Sequence, residues 1–204
     1  VLFGDTPLLT VDTIQKMLLA LRAAENPAVV VLGFRPDDPA EYGRLVTEAD
    51  GGLEGIVEYQ DATDEQREIG FCNAGIMAID GAHLFPLLDA VGNDNAKGEY
   101  YLTDIIGIAR DRGLFCVAVE AADPVEVMGI NSRSQLAEAE AAMQVRLRKN
   151  AMANGATMTD PGTVWLSADT KIGRDVSISP NVFIGPGVSI ADNVEIRSFC
   201  HIEQ

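Results

Sequence analysis

The sequence predicts an α/β layered sheet, then a long helix, then the opening coils of a parallel β-helix. Three observations carry this. Over residues 1 to about 130, apolar runs alternate with segments of helical period. From Ser132 a stretch dense in Ala, Leu, Glu, Arg and Gln follows. Beyond that stretch, branched apolar residues return at intervals of six.

Taken in chain order, VLFG (1–4) reads as a buried strand ending on Asp5. After Thr10, the residues Ile14, Met17, Leu18 and Leu21 fall on one face of a helix. AVVVLGF (28–34) is unbroken and apolar, as a strand covered on both faces requires. LEGIVEY (53–59) and NAGIMAI (73–79) are further strands, with DEQRE as a short helical turn between them. AHLFPLLDAV and YLTDIIGIARDRG read as helices, the second stopping near Gly113, and LFCVAVE (114–120) returns as a strand. In SRSQLAEAEAAMQVRLRKNAMAN, Ser132 or Ser134 can cap the helix start, and Gly155 its stop.

Leu166, Ile172, Ile178, Ile184, Ile190, Ile196 and Ile202 then recur every six residues, and Val176, Val182, Val188, Val194 and Cys200 follow the same interval. Neither a helix nor an ordinary strand has that period. A hexapeptide coil has it, with one branched side chain directed inward on each face. Gly173, Ser179, Gly185, Gly187 and Asn193 are placed near its corners. An amphipathic strand series in a sandwich is the competing arrangement. Residues 166–204 fill about two coils with no closing cap, and the first residues already read as core, so the chain reads as cut at both ends.

With 47% apolar residues in 204, the chain can bury a core. Its formal charge of −16, from 15 basic and 31 acidic residues, argues against nucleic acid or an anionic membrane as partner. A phosphorylated substrate would then need a local cation or oriented N–H groups. Cys72, Cys116 and Cys200 are odd in number and widely spaced, which suits reduced thiols in a cytoplasmic protein.

FGDTPL (3–8), DPAEYGR (38–44), GIVEYQDATDEQ (55–66), NAGI (73–76), NDNAKGEYYLTDII (93–106) and GINSRSQLAEAE (129–140) follow one another in an order and spacing that resemble one family. That family is the bacterial bifunctional N-acetylglucosamine-1-phosphate uridyltransferase / glucosamine-1-phosphate N-acetyltransferase. The resemblance implies an α/β nucleotide-sugar transferase domain, Rossmann-like and incomplete, over 1–131. A linker helix over 132–155 forms a helical arm, and 156–204 start a left-handed parallel β-helix. It also implies a homotrimer. The implied substrates are UTP and N-acetylglucosamine 1-phosphate, giving UDP-N-acetylglucosamine, with acetyl-CoA and glucosamine 1-phosphate serving the second reaction. The family's glycine-rich phosphate loop would lie upstream of Val1, and its acetyl-CoA site and catalytic histidine downstream of Gln204.

By the same resemblance Asp5 holds Mg²⁺ together with Asn131, a fitting oxygen pair for that cation. Read alone, Asp5 before Thr-Pro is also a turn or capping residue, and Asn131 an ordinary pre-helix residue. Phe3 and Gly4 match positions against the nucleotide-sugar; a tyrosine is common where Phe3 stands, so only packing is carried over. Gly43 would admit the sugar close to backbone, and Glu58 and Asn73 would hydrogen-bond the N-acetylglucosamine part. Alone these are a turn glycine, a strand-end acid and a turn amide. Thr103 faces the phosphate region or caps a helix. His83 and His201 are given no catalytic role. Two rivals stand: a nucleotidyltransferase for another sugar, and a non-catalytic trimeric scaffold.

Overall fold

The computed structural model describes residues 1–49, 51–94 and 98–204. Asn95, Ala96 and Lys97, part of the matching stretch at 93–106, lie outside the described residues. The chain divides into two compact units, Val1–Gly129 and Ile130–Gln204.

In the first unit, helix α1 (Val11–Leu21) starts where the Thr10 hydroxyl accepts the Thr13 N–H. Its Met17 is buried, while Leu18, expected on the same face, is 39% exposed. Strands β1 (Val29–Phe34), β2 (Arg44–Thr47) and β3 (Leu53–Val57) precede the short helix α2 (Asp64–Arg67), which is closed by a reciprocal Thr63–Gln66 capping box. Then come β4 (Cys72–Ile79), α3 (Gly81–Leu88), α4 (Ile105–Asp111) and β5 (Cys116–Glu120). The five strands form one sheet in the order β3-β2-β4-β1-β5. Only β1 and β5 run parallel; the β1–β4, β2–β3 and β2–β4 ladders are antiparallel. The Rossmann-like expectation is corrected to that extent, because apolar runs report burial and not strand direction.

Every residue of β1 is buried. Val29 and Val31 belong to one core with Leu45, Leu53 and Ile106, and Val30, Leu32 and Phe34 to another with Met17 and Ile76. This is the double coverage that the unbroken apolar run predicts.

VLFG is not a core strand. Val1, Leu2 and Phe3 are about half exposed. Only Val1 exchanges backbone hydrogen bonds with Met77 of β4, in both directions, which is the antiparallel pattern.

In the second unit, helix α5 (Arg133–Ala153) is capped by Ser132 and stops before Gly155, whose φ is +105°. Eight short strands follow: β6 (Thr157–Met158), β7 (Val164–Leu166), β8 (Lys171–Ile172), β9 (Ser177–Ile178), β10 (Val182–Ile184), β11 (Ser189–Ile190), β12 (Glu195–Ile196) and β13 (His201–Ile202). They make three parallel sheets, β13-β10-β7, β11-β8 and β12-β9-β6. Their partners differ by 18 to 20 positions: Ile184 pairs with Ile202 and Leu166, Ile172 with Ile190, Ile178 with Ile196 and Met158. A six-residue repeat wound on three sides gives 18 residues a turn. The period-six residues all join one core, fully buried at Ile178 and Ile184.

The corners differ from expectation in one respect. Left-handed backbone recurs at Asp175, Asn181, Gly187, Asn193 and Phe199, again every sixth residue. Gly173 serves a different need: a Cβ there would lie 2.7 Å from the Asp192 nitrogen, so the neighbouring turn permits no side chain. The first edge of the coil is closed by α5. Gln144, 2% exposed, donates from Nε2 to the Leu166 carbonyl (2.7 Å) and accepts the Leu166 N–H at Oε1 (2.9 Å); Arg148 donates to the Val164 carbonyl.

Candidate functional site

The loop before β2 and the turns after β3 are placed by backbone pairing. Gly43, buried, accepts the Asn73 N–H at 2.8 Å, which locks DPAEYGR to the start of β4. Gly43 packs beside the end of β3: a Cβ there would reach Glu58 Oε2 and Ile56 at 3.4 Å, ordinary contact distance. Glu58 lies one residue past β3 and is half-buried; its Oε1 accepts the Thr103 hydroxyl at 3.4 Å. Thr103 is therefore not a helix N-cap: it sits inside the single turn Leu102–Asp104, which has no side-chain cap. Beside it, burial pushes the Asp104 carboxyl above its ordinary range.

On the other side of Gly43, the Asn73 side chain accepts the Gly75 N–H at 2.9 Å, a local turn bond. Gly75 has φ +77°, and a Cβ there would meet the Phe3 ring at 2.7 Å. Phe3 thus lies on the backbone of NAGI. The structure joins Phe3, Gly75, Asn73, Gly43, Glu58 and Thr103 into one continuous strip.

Gly4 and Asp5 form an exposed turn closed by the Thr6 hydroxyl on the Phe3 carbonyl. The cap of α1 is Thr10, so Asp5 does not serve there. Asn131 belongs to the second unit, is exposed, and donates its N–H to Gln135 Oε1 at 2.8 Å. Among the described residues, no three His, Cys, Asp or Glu side chains converge as a metal-holding group. His83 lies half-buried on α3, and the His201 ring contacts Glu203 Oε1 (2.9 Å) and Phe183 (centroids 4.6 Å apart).

A cleft of about 190 Å³ opens beside the strip, lined by Glu41, Glu58, Tyr59, Gln60, Asp61 and Tyr101. Its three carboxylates suit a ligand rich in O–H and N–H donors and repel a phosphate, while the two phenols can donate or accept.

Sequence reasoning missed two buried charged residues. Arg44, 2% exposed, donates from Nε to the Arg67 carbonyl (3.2 Å), from Nη2 to Ala40 (3.0 Å), and from Nη1 to Pro39 (3.3 Å) and Tyr42. Its guanidinium also touches the buried Cys72 sulfur; burial raises that thiol's pKa and the cation partly offsets it. Glu126, 7% exposed, accepts from the Thr10 and Thr13 hydroxyls (2.8 and 2.6 Å) and the Thr10 N–H. Arg44, closing the DPAEYGR stretch, could have been suspected; nothing in the sequence marks Glu126.

Comparison with known proteins follows the same lines. Residues 169–204 match the family described as bacterial transferase hexapeptide (six repeats). Proteins named "Bifunctional protein GlmU" align with the whole chain: 64% identical over 203 residues in Rhodospirillum rubrum, 59% in Paramagnetospirillum magneticum and 54% in Azorhizobium caulinodans. The chain spans 45%, 45% and 44% of those relatives, under half their length. A solved CMP:2-keto-3-deoxy-manno-octonic acid synthetase complexed with CTP covers 71% of this chain and 61% of its own at 14% identity and a TM-score of 0.49, too distant to carry an argument.

Proposed function

We propose that this chain, related over all of its residues to the bifunctional GlmU proteins, supplies the sugar-binding wall of a uridyltransferase site and the first turns of an acetyltransferase β-helix. The reaction of the intact enzyme is Mg²⁺-dependent uridyl transfer from UTP to N-acetylglucosamine 1-phosphate. A sugar-phosphate oxygen bonds to the α-phosphorus of UTP, the bond to the β-phosphate oxygen breaks, and UDP-N-acetylglucosamine and pyrophosphate leave. The second reaction moves acetyl from acetyl-CoA to glucosamine 1-phosphate.

The observation that carries this reading is the continuous strip from Phe3 to Thr103, since those positions are far apart in sequence and are joined by hydrogen bonds and close packing. Uridyl transfer depends on positioning and charge neutralisation, with no protein nucleophile needed. In that role Glu58 orients the sugar through its donors, Asn73 and Gly43 hold the backbone against it, Phe3 with Gly4 packs the nucleotide-sugar, and Thr103 keeps Glu58 in place. Asp5 carries an exposed carboxylate and Asn131 an amide oxygen, hard donors that fit Mg²⁺, which keeps most of its shell for water and phosphate. When bound, that ion would neutralise phosphate charge on an acidic protein.

The second unit supports the helical arm as α5 and the coil as a left-handed β-helix. Trp165, Phe183 and His201 stand in register on one face of it, all more than a third exposed, which suits a homotrimer packed through flat faces. No described helix is long and apolar enough to cross a membrane. A cytoplasmic enzyme with small-molecule substrates, and no nucleic-acid partner, is consistent with the acidic charge.

The test is Asp5→Ala in the full-length enzyme: uridyl transfer is expected to be lost and acetyl transfer kept, and near-normal uridyl transfer removes Asp5 from the site. The isolated 204-residue chain is expected to turn over neither reaction, and measurable turnover contradicts this. Product analysis with UTP, ATP and dTTP separates other sugar nucleotidyltransferases. The exposed aromatic face also favours a scaffold reading, for which sedimentation showing a trimer must accompany calorimetry showing no UDP-N-acetylglucosamine binding.

A further inference from the structure

We infer that Arg44 is the positioning residue of the sugar cleft, the hub that holds its two walls at a fixed separation. The inference rests on the uridyltransferase reading for the identity of the ligand, and on geometry alone for the role of the hub.

One wall is the 38–43 loop, which contributes Glu41; the other is the turn after β3, which contributes Glu58, Tyr59, Gln60 and Asp61. Arg44 binds the first wall through the Pro39, Ala40 and Tyr42 carbonyls. Its guanidinium also lies 5.5 Å from the centroid of Tyr59 in the second. Arg67 lies 5.0 Å from the same ring and donates to the Tyr59 carbonyl at 3.3 Å, while its own carbonyl accepts from Arg44 Nε. Among the described residues, every oxygen that Arg44 contacts belongs to backbone. A guanidinium matched to several carbonyls fixes backbone shape in a way a point charge cannot. It also spares the cleft carboxylates: an arginine paired with Glu41 or Glu58 would remove the acceptors that a hydroxyl-rich ligand needs. Ala40, held in left-handed backbone at φ +36°, is kept there by the same fork and by its N–H on Asp38 Oδ1.

The test is Arg44→Lys in the full-length enzyme, with Arg44→Met as the stronger variant. For Arg44→Lys the KM for N-acetylglucosamine 1-phosphate is expected to rise about tenfold, with kcat and the KM for UTP within about twofold. Hydrogen exchange of the Ala40 and Tyr42 amides should quicken in the same variant. Unchanged KM for the sugar phosphate, or equal rises for both substrates, overturns the proposal. Should the unmutated enzyme make no UDP-sugar, the uridyltransferase reading falls by itself, and the exchange data alone judge Arg44: unaltered rates at Ala40 and Tyr42 refute the hub. Slow exchange retained at the buried β1 amides in Arg44→Lys shows that the first unit is folded, so a failure of Arg44→Met to fold leaves the test intact.

Discussion

Replacing Gln144 with Met removes the amide that closes the first edge of the coil while keeping side-chain length. The Leu166 N–H and C=O, bonded at 2.9 and 2.7 Å, are both left without partners in a buried place. Each unmet buried group costs about 1–3 kcal/mol, and some of this returns as apolar contact, so the expected loss is about 3 kcal/mol. For a unit of this size, with a urea m-value near 1.5 kcal/mol per molar, the midpoint should fall by about 2 M. Trp165, the sole tryptophan, neighbours Leu166 and reports this unit by fluorescence. A midpoint shift below about 0.3 M would show that the amide is not what satisfies the edge, and the capping argument would fail.

Three further outcomes are expected. Phe199, 83% exposed at φ +63°, strains the backbone without burying its ring, so Phe199→Asn should stabilise the second unit by about 1 kcal/mol in the same urea assay. Gly173→Ala should destabilise it by about 1–3 kcal/mol, because the new carbon meets Asp192 backbone, whereas Gly162→Ala, with its nearest atom at 3.5 Å, should be near neutral. Burial pushes the Cys116 thiol from 9.0 up to about 11, so between those pH values the unfolded chain releases a proton the folded chain keeps. Stability of the first unit should therefore fall by about 2–3 kcal/mol as pH rises from 9 to 11, and Cys116→Ala should lessen that fall in denaturation at the two pH values.

The coil was legible because a sustained period of six matches neither a helix nor an ordinary strand, and the strands of the first unit because buried strands need unbroken apolar runs. Direction was not: β4 and β5 look alike in sequence, yet flank β1 in opposite senses. The short β2 was hidden because RLVT begins with an arginine, and the run gives no sign that this charge is buried on carbonyls. VLFG misled in the other direction, an apolar run that is half exposed. At the site, the resemblance marked Glu58, Gly43 and Asn73, and the structure brings them together. The hydroxyl of Thr103 on Glu58, and the grip of Glu126 on Thr10 and Thr13, join residues 45 or more positions apart, a separation that periodicity does not encode.

Strand β1 deals alternate side chains to two separate cores. Adding or deleting one amino acid inside β1, between Val29 and Gly33, would hand each core its neighbour's residues, scrambling both at once. Length changes should therefore be filtered out of this strand during evolution far more severely than conservative swaps of one aliphatic for another, and a deep mutational library containing single-codon insertions would register that contrast directly.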